Sequence, residues 1–454
     1  MTDTFIQVPP DSTGKKLHGR QHTVGSDEVV IPGQHVISAH NPSNGWNIDG
    51  QGAAYMRFAD GRPSLDAFGN LMAAPPVAVA AYAHDKSPES HRWWDDAAAG
   101  GAITHEIGRA AVRMAVDGSA GARANRTTNR YHYYSPGAGL TAQMTVYAGD
   151  AGRAGNVRRW GYGDASDGLF FELSETGLAV VLRSSVSGSV VETRVPQASW
   201  NGHAVDGTGD GGFNLDLTML NIYWIDFQWL GAGAVRFGVV SPGGGRLVVH
   251  TIENANSSAG PYMRTGSLPL RFENENTGAP GAGSELYLVC AGLRNSGDLG
   301  YAFQFWGDMD FPSFTNTGFD WQPFVSLRPK LTVNGQTNRY GAYPTSIEYE
   351  ALNAPLRLRI YRDAALTGAT WAGTSGGSME FDATATAAAG GDLMMQLFLD
   401  SNHSGRIDLT TCFPVENDPI CVGADGVSQP TFTFMLQGAW DAGDLRMSLL
   451  YREL

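Results

Sequence analysis

Apolar and polar residues alternate in short runs along much of this chain, and the runs are separated by turn-forming residues. In 222–229 (IYWIDFQW) one side carries Ile222, Trp224, Asp226 and Gln228, and the other carries Tyr223, Ile225, Phe227 and Trp229 as an apolar face. The same period of two predicts strands at 109–116, 128–134, 140–147, 168–174, 177–184 and 188–195. Further strands are predicted at 213–218, 222–229, 234–240, 246–252, 268–276 and 285–291. SETG, SVSG, GAG and SPGGG interrupt them as hairpin turns. A second set is predicted at 323–329, 345–351, 355–362, 378–386, 392–399, 431–438 and 445–452. The first hundred residues lack this regularity and are crowded with turn signals such as VPPDSTG and NPSNGWNIDGQG.

The expected fold is all-β: a jelly-roll-like β-sandwich, then a second, smaller β-sandwich, preceded by an extended irregular N-terminal arm. The expected boundaries are 1–102 for the arm or attachment region and 103–292 for the central sandwich. An aromatic, turn-rich linker at 293–322 and a C-terminal sandwich at 323–454 complete the division.

Composition narrows the class. Of 454 residues 58 are Gly and 22 are Pro, while only 17 % are charged, against about 25 % in an average protein. Gly has no three-residue period, which excludes collagen. The 20 Phe, 16 Tyr and 11 Trp need burial, which excludes wholesale disorder. A net charge of −14 argues against nucleic-acid binding. The absence of any apolar run of about 18 residues argues against membrane insertion, and the opening residues lack the apolar core of a signal peptide. Cys290, Cys412 and Cys421 form no CxxC; Cys412 and Cys421 are spaced to close a loop, whether or not they are bridged.

Candidate chemistry is sparse. Residues 207–212 satisfy GxGxxG, but strand-like sequence follows where a nucleotide site needs a helix, so the segment reads as a turn. Asp400, Asn402, Ser404 and Asp408, with Gly405, match the early positions of a calcium loop without its terminal acidic ligand. They form a weak metal candidate beside the simpler reading of a polar hairpin. Asp95 and Asp96 follow two tryptophans, yet neighbours in extended chain point opposite ways and would not share a substrate. His105, Glu106 and His250 read as strand or surface residues. Neither GxSxG nor HExxH occurs. The expectation is a protein with no catalytic residues, no cofactor and no enzymatic activity.

An ordered series of short blocks resembles a family of tailed-bacteriophage virion structural proteins from phages of aquatic bacteria. The blocks are FIQVPPDSTGKK at 5–16, WNIDGQG at 46–52, DAFGNL at 66–71, NRYHYYSPG at 129–137 and DGLFFEL at 167–173. VPQASW at 195–200 leads to DGTG at 206–209. IDFQWLGAGAVRFG at 225–238, HTIENAN at 250–256, Tyr262-Met263 and LPLRFENENTG at 268–278 follow. VSLR at 325–328, TNR at 337–339 and GATW at 368–371 extend it through the last third. Relatives often carry basic residues where this chain has Ala138, Gly139 and Leu140.

The resemblance implies a structural component of the virion, assembled in the host cytoplasm: a tail, fibre or baseplate part, or a capsid-attached fibre or decoration. The expected partners are copies of itself, as a homotrimer, and other virion proteins, joined through the arm and sheet edges. The alternative is a receptor adhesin that binds a host surface glycan, with the loops at 41–52, 299–322 and 400–408, and Trp306 and Trp321, as places to look. A polysaccharide depolymerase is the third possibility.

Overall fold

The computed structural model describes residues 3–7, 16–24, 27–32, 47–48, 54–55, 77–208, 212–278, 282–296, 305–316, 319–373, 377–410, 419–438 and 443–453. The chain divides into two units, Met1–Ser64 and Leu65–Leu454. In the first, Asp3–Gln7, Lys16–Val24 and Asp27–Pro32 pair as a three-stranded antiparallel sheet, and Asn47–Ile48 pairs with Ala54–Tyr55.

The second unit holds two β-sandwiches. One sheet of the larger sandwich has seven antiparallel strands. Their order is Val191–Pro196, Gly177–Ser184, Gly168–Ser174, Asn156–Gly163, Leu270–Asn276, Arg123–Thr128 and Trp93–Ala98. The facing sheet runs Arg246–Ile252, Val235–Val240, Asn221–Phe227, Leu140–Tyr147 and Ser284–Asn295. The far edge of the long strand Ser284–Asn295 is shared. Ala111–Val116 pairs with its first half and Val77–Ala83 with its second, and Gly101–Glu106 closes the sheet beyond Ala111–Val116.

Strand alternation builds the core. Phe272, Trp160, Phe171 and Val180 lie in one cross-strand row and face the other sheet. Trp160 meets Tyr223 at 4.9 Å between ring centroids, Phe171 meets Phe237 at 5.5 Å, and Tyr162 meets Phe227 at 5.3 Å. Tyr223, Ile225 and Phe227 are therefore inward as their alternation predicts, and Trp229 packs at the margin.

The smaller sandwich pairs a four-stranded sheet with a six-stranded one. The four strands are ordered Phe305–Asn316, Gly443–Glu453, Ala342–Leu352 and His403–Asp408. The six are Ala372–Gly373, Met379–Asp382, Gln322–Pro329, Phe432–Gly438, Leu356–Arg362 and Asp392–Leu399. Ile347, Leu449, Ile360, Phe434 and Leu436 fill its core.

Several boundaries differ from the sequence reading. Val77–Ala83 and Trp93–Ala98 belong to the larger sandwich, although they fall in the region assigned to the arm at 1–102. Phe305–Asn316, inside the expected linker at 293–322, is an edge strand of the smaller sandwich. The run at 213–218 is not a strand; Asn214 makes only an isolated bridge to Asp206. Conversely Asn156–Gly163 is a central strand that its two arginines and two glycines conceal.

One glycine has a clear packing reason. Gly238 stands opposite Trp224 in register, and a Cβ there would lie 2.1 Å from the indole and 2.4 Å from the Leu247 carbonyl oxygen. Trp224 is held flat against the sheet by the Arg246 guanidinium at 4.1 Å. Gly238→Ala should cost about 1–3 kcal/mol by overpacking. Urea denaturation against the native protein checks this, and an unchanged midpoint contradicts it.

Candidate functional site

The residues singled out in the sequence do not converge. Ser404 and Asp408 lie on one strand, opposite Glu350 and Ser346. Four residues along a strand separate them by about 13 Å, too far to share an ion. Asp408 accepts from the Thr410 amide at 2.8 Å and its hydroxyl at 2.6 Å, and Asn402 accepts from the Asn353 amide at 3.2 Å. Asp400 precedes this strand in the adjoining turn. The four residues are thus a strand with its turn, not a cation loop. No cluster of three or more His, Cys, Asp or Glu that could hold a metal occurs among the described residues.

Asp95 and Asp96 point to opposite faces of Trp93–Ala98. Asp95 accepts from Arg126 at 2.6 and 2.7 Å, and Asp96 accepts from Arg123 at 2.7 and 3.1 Å. Cys421 is buried, its thiol directed at the Asn129 carbonyl 3.7 Å away; Cys412 lies outside the described residues. So do Gly209 to Gly211 and the side chain of Trp306. Trp321 is half-buried beneath the Arg359 guanidinium at 4.1 Å.

Sequence reasoning missed an extensive polar feature of the larger sandwich. The outer face of the seven-stranded sheet carries a lattice of arginines and glutamates. Asn125, Glu273, Arg159 and Glu172 form one cross-strand row, with Arg183 and Glu192 paired in another. Glu273 accepts from Arg159 at 2.9 Å, from both terminal nitrogens of Arg183 at 3.1 Å, and from Arg271 at 2.5 Å. Glu172 accepts from Arg159 at 2.7 Å and Arg194 at 2.8 Å, and Glu192 from Arg183 at 2.8 Å. The available signal was charge at period two, as in Glu192-Thr-Arg194 and Arg271-Phe-Glu273.

Burial alone would raise the Glu273 carboxyl, but the guanidinium groups of Arg271, Arg183 and Arg159 outweigh it and hold the group far below the usual carboxylate range. Burial likewise opposes the charged form of Glu192, and Arg159 and Arg183 overcome it. A glycosidase needs one of its two carboxyl groups to stay protonated near neutrality as general acid. This lattice biases these two glutamates the other way.

The second polar feature is a cavity of about 620 Å³ where the two sandwiches meet. Tyr131 and Tyr133, in the segment after Arg123–Thr128, line it with Asp164, Ser166, Arg264 and Thr265 of neighbouring loops. The smaller sandwich contributes Tyr340, Tyr343, Arg339 and the hairpin formed by Thr332–Val333 and Gln336–Thr337. Arg339 lies over the Tyr131 ring at 4.2 Å, and the Ala424 amide donates to the Asn129 side chain at 3.3 Å, so the wall is tied across the seam. Tyr131 donates its hydroxyl to Asp164 at 3.1 Å; burial first, then the Asp164 charge, pushes that phenol well above its ordinary range. Buried Asp167 accepts from Ser185 and from the backbone and side chain of Arg264, fixing both loops behind the wall.

No family model matches the chain, and no curated protein matches it. About half of the chain is similar to several solved structures at low identity. The carbohydrate recognition domain of Emp47p matches at 8 % identity and a TM-score of 0.30, over 49 % of this chain and 98 % of that one. A legume lectin-like domain from Entamoeba histolytica matches at 12 % and 0.28, over 48 % and 98 %. A glycosyl hydrolase family protein from Mycobacterium fortuitum matches at 12 % and 0.29, over 48 % and 98 %. Identities this low carry no activity across to this chain.

Glu273→Gln should destabilise the protein by about 3–5 kcal/mol at pH 7, because it leaves buried guanidinium groups unpaired. The native carboxyl titrates lower folded than unfolded. Its stabilisation is therefore complete above the unfolded range near pH 4–5 and is lost as pH falls below it. Urea melts between pH 7 and pH 3 should show native stability falling on acidification and a flatter profile for Glu273→Gln. Parallel profiles would contradict this.

Proposed function

We propose that this chain is a non-enzymatic structural component of a tailed-phage virion, a tail, fibre or baseplate part or a capsid-attached fibre or decoration. It assembles in the host cytoplasm with copies of itself, as a homotrimer, and with neighbouring virion proteins. The observation that carries this reading is the edge strand Asp392–Leu399. Among the described residues it pairs with Leu356–Arg362 on one side only, and it exposes Leu393, Met394 and Phe398, the last by 67 %. This mostly apolar edge strand of eight residues, bulged at Met394, keeps apolar side chains in solvent, and natural proteins leave such an edge open chiefly where it is used. The ordered resemblance to phage virion proteins supplies the setting. The pairing of the sheet-face glutamates with arginine favours a scaffold over a depolymerase.

A receptor adhesin is the second reading. It is favoured by one observation, the tyrosine-lined cavity at the seam of the sandwiches.

Mass spectrometry of purified virions should detect the chain at a fixed copy number, and immunogold should label particles; its absence from virions would overturn the proposal. Phe398→Asp, a change on an exposed position, should lower the mass seen by light scattering toward that of one chain while leaving the circular dichroism unchanged. An unaltered assembly mass would remove the edge strand from the interface.

A further inference from the structure

We infer that the seam cavity is a binding site for a short oligosaccharide, gripped by tyrosine rings from both sandwiches. The inference rests on the adhesin reading and names its site, which none of the three loops expected from the sequence contains.

A pyranose ring has an apolar face of C–H groups and a rim of hydroxyls. A site for it needs exposed ring faces, fixed acceptors and donors, and a volume in the small-ligand range of about 300–1,000 Å³. The cavity has each. Tyr133 and Tyr340 are half-buried, and neither hydroxyl has a hydrogen bond among the described residues, so each offers a face and a polar tip. Asp164 is the fixed acceptor. Its Oδ1 takes the Ser166 and Asp167 amides at 2.7 and 2.9 Å, while among the described residues its Oδ2 takes only the Tyr131 hydroxyl. A carboxylate oxygen can accept twice, so Oδ2 keeps room for a sugar hydroxyl.

Arg264 spends its Nε on Asp167 at 3.2 Å and stays 60 % exposed, leaving its terminal amino groups as donors. Gln336 and Asn334 add amides from the hairpin tip. That tip is stiff. Asn334 and Gly335 both have positive φ, 51° and 74°, as in a two-residue Asn-Gly hairpin turn. Tyr131 is pinned from below by Asp164 and from above by Arg339. A site fixed before binding loses less on ordering.

Other ligand classes fit less well. Both arginines of the wall are engaged, Arg264 with Asp167 and Arg339 with the Gly423 and Ala424 carbonyls, and the Asp164 carboxylate stands beside them, which disfavours phosphate. The chain's net charge of −14 disfavours nucleic acid.

The full-length protein applied to an array of neutral and uronate-bearing bacterial surface glycans should give at least one hit. Saturation-transfer NMR with that glycan should then show contact through its ring protons. Tyr133→Ala and Tyr340→Ala should each weaken binding at least tenfold by calorimetry. Gln336→Ala, on an exposed turn, should weaken it several-fold with unchanged melting temperature, which guards against misfolding of the tyrosine variants. A silent array, or affinity unaltered in Gln336→Ala and in the Tyr133→Ala/Tyr340→Ala double variant, would overturn the inference. A silent array would overturn the adhesin reading as well, whereas a glycan hit whose affinity the variants leave unaltered would overturn the seam site alone; the virion reading fails only if the chain is missing from particles.

Discussion

The larger sandwich depends on one strand having two incompatible faces. Leu270–Asn276 lies near the middle of the seven-stranded sheet, and its residues divide strictly by parity. Leu270, Phe272, Asn274 and Asn276 turn toward the facing sheet, while Arg271, Glu273 and Glu275 turn outward. Asn274 donates to the Met114 and Ser284 carbonyls of the opposite sheet, at 3.0 and 3.1 Å, and accepts from Asn156 at 2.9 Å. Asn276 donates to the Asp117 and Ser119 carbonyls. The two asparagines thus lock the end of the sandwich where aromatic packing gives out. A slip of one residue would bury three charges and expose Phe272, so this strand sets the register of its neighbours.

The outer face gives a structural use to several of the arginines that dominate the basic residues of this chain. Only four of 31 are lysine. That bias is easily read from composition as a property of the genome, but the lattice gives it a structural use. Arg159 serves Glu273, Glu172 and Glu192, and Arg183 serves Glu273 and Glu192 while covering the Phe170 ring at 4.7 Å. A planar guanidinium with five donors can bridge carboxylates on several strands at once; an ammonium cannot fill that geometry.

The all-β class, two sandwiches and most strand positions were legible because alternation and glycine turns are local signals. The alternation of 222–229 is the plainest case, with Tyr223, Ile225 and Phe227 all in the core. Asn156–Gly163 was not legible because its inward Arg158 is buried. There it donates to the Ala148 carbonyl at 2.5 Å, and such a residue breaks the apolar pattern. Gly161, likewise, reads as a turn residue but sits where a Cβ would lie 2.1 Å from the Leu169 carbonyl oxygen. The cavity was less legible still. Its lining comes from residues more than 200 positions apart, from Tyr131 to Tyr343, and no local pattern reports a meeting of two modules.

One segment links these two levels of organisation. In 129–137, the aromatic block of the phage-like series, alternate residues serve different structures. His132 and Tyr134 are buried in the larger sandwich, where Tyr162 donates to the His132 carbonyl and Tyr134 stacks at 6.1 Å from Phe227. Asn129, Tyr131 and Tyr133 turn toward the seam. The core residues fix the height and angle of the segment, and the seam residues then meet Arg339 and the hairpin at positions the core has already set. A change that loosens His132 or Tyr134 therefore reaches the cavity without touching it. The precision of the seam is inherited from the packing of the sandwich behind it, which is how a rigid scaffold holds a site built largely on loops.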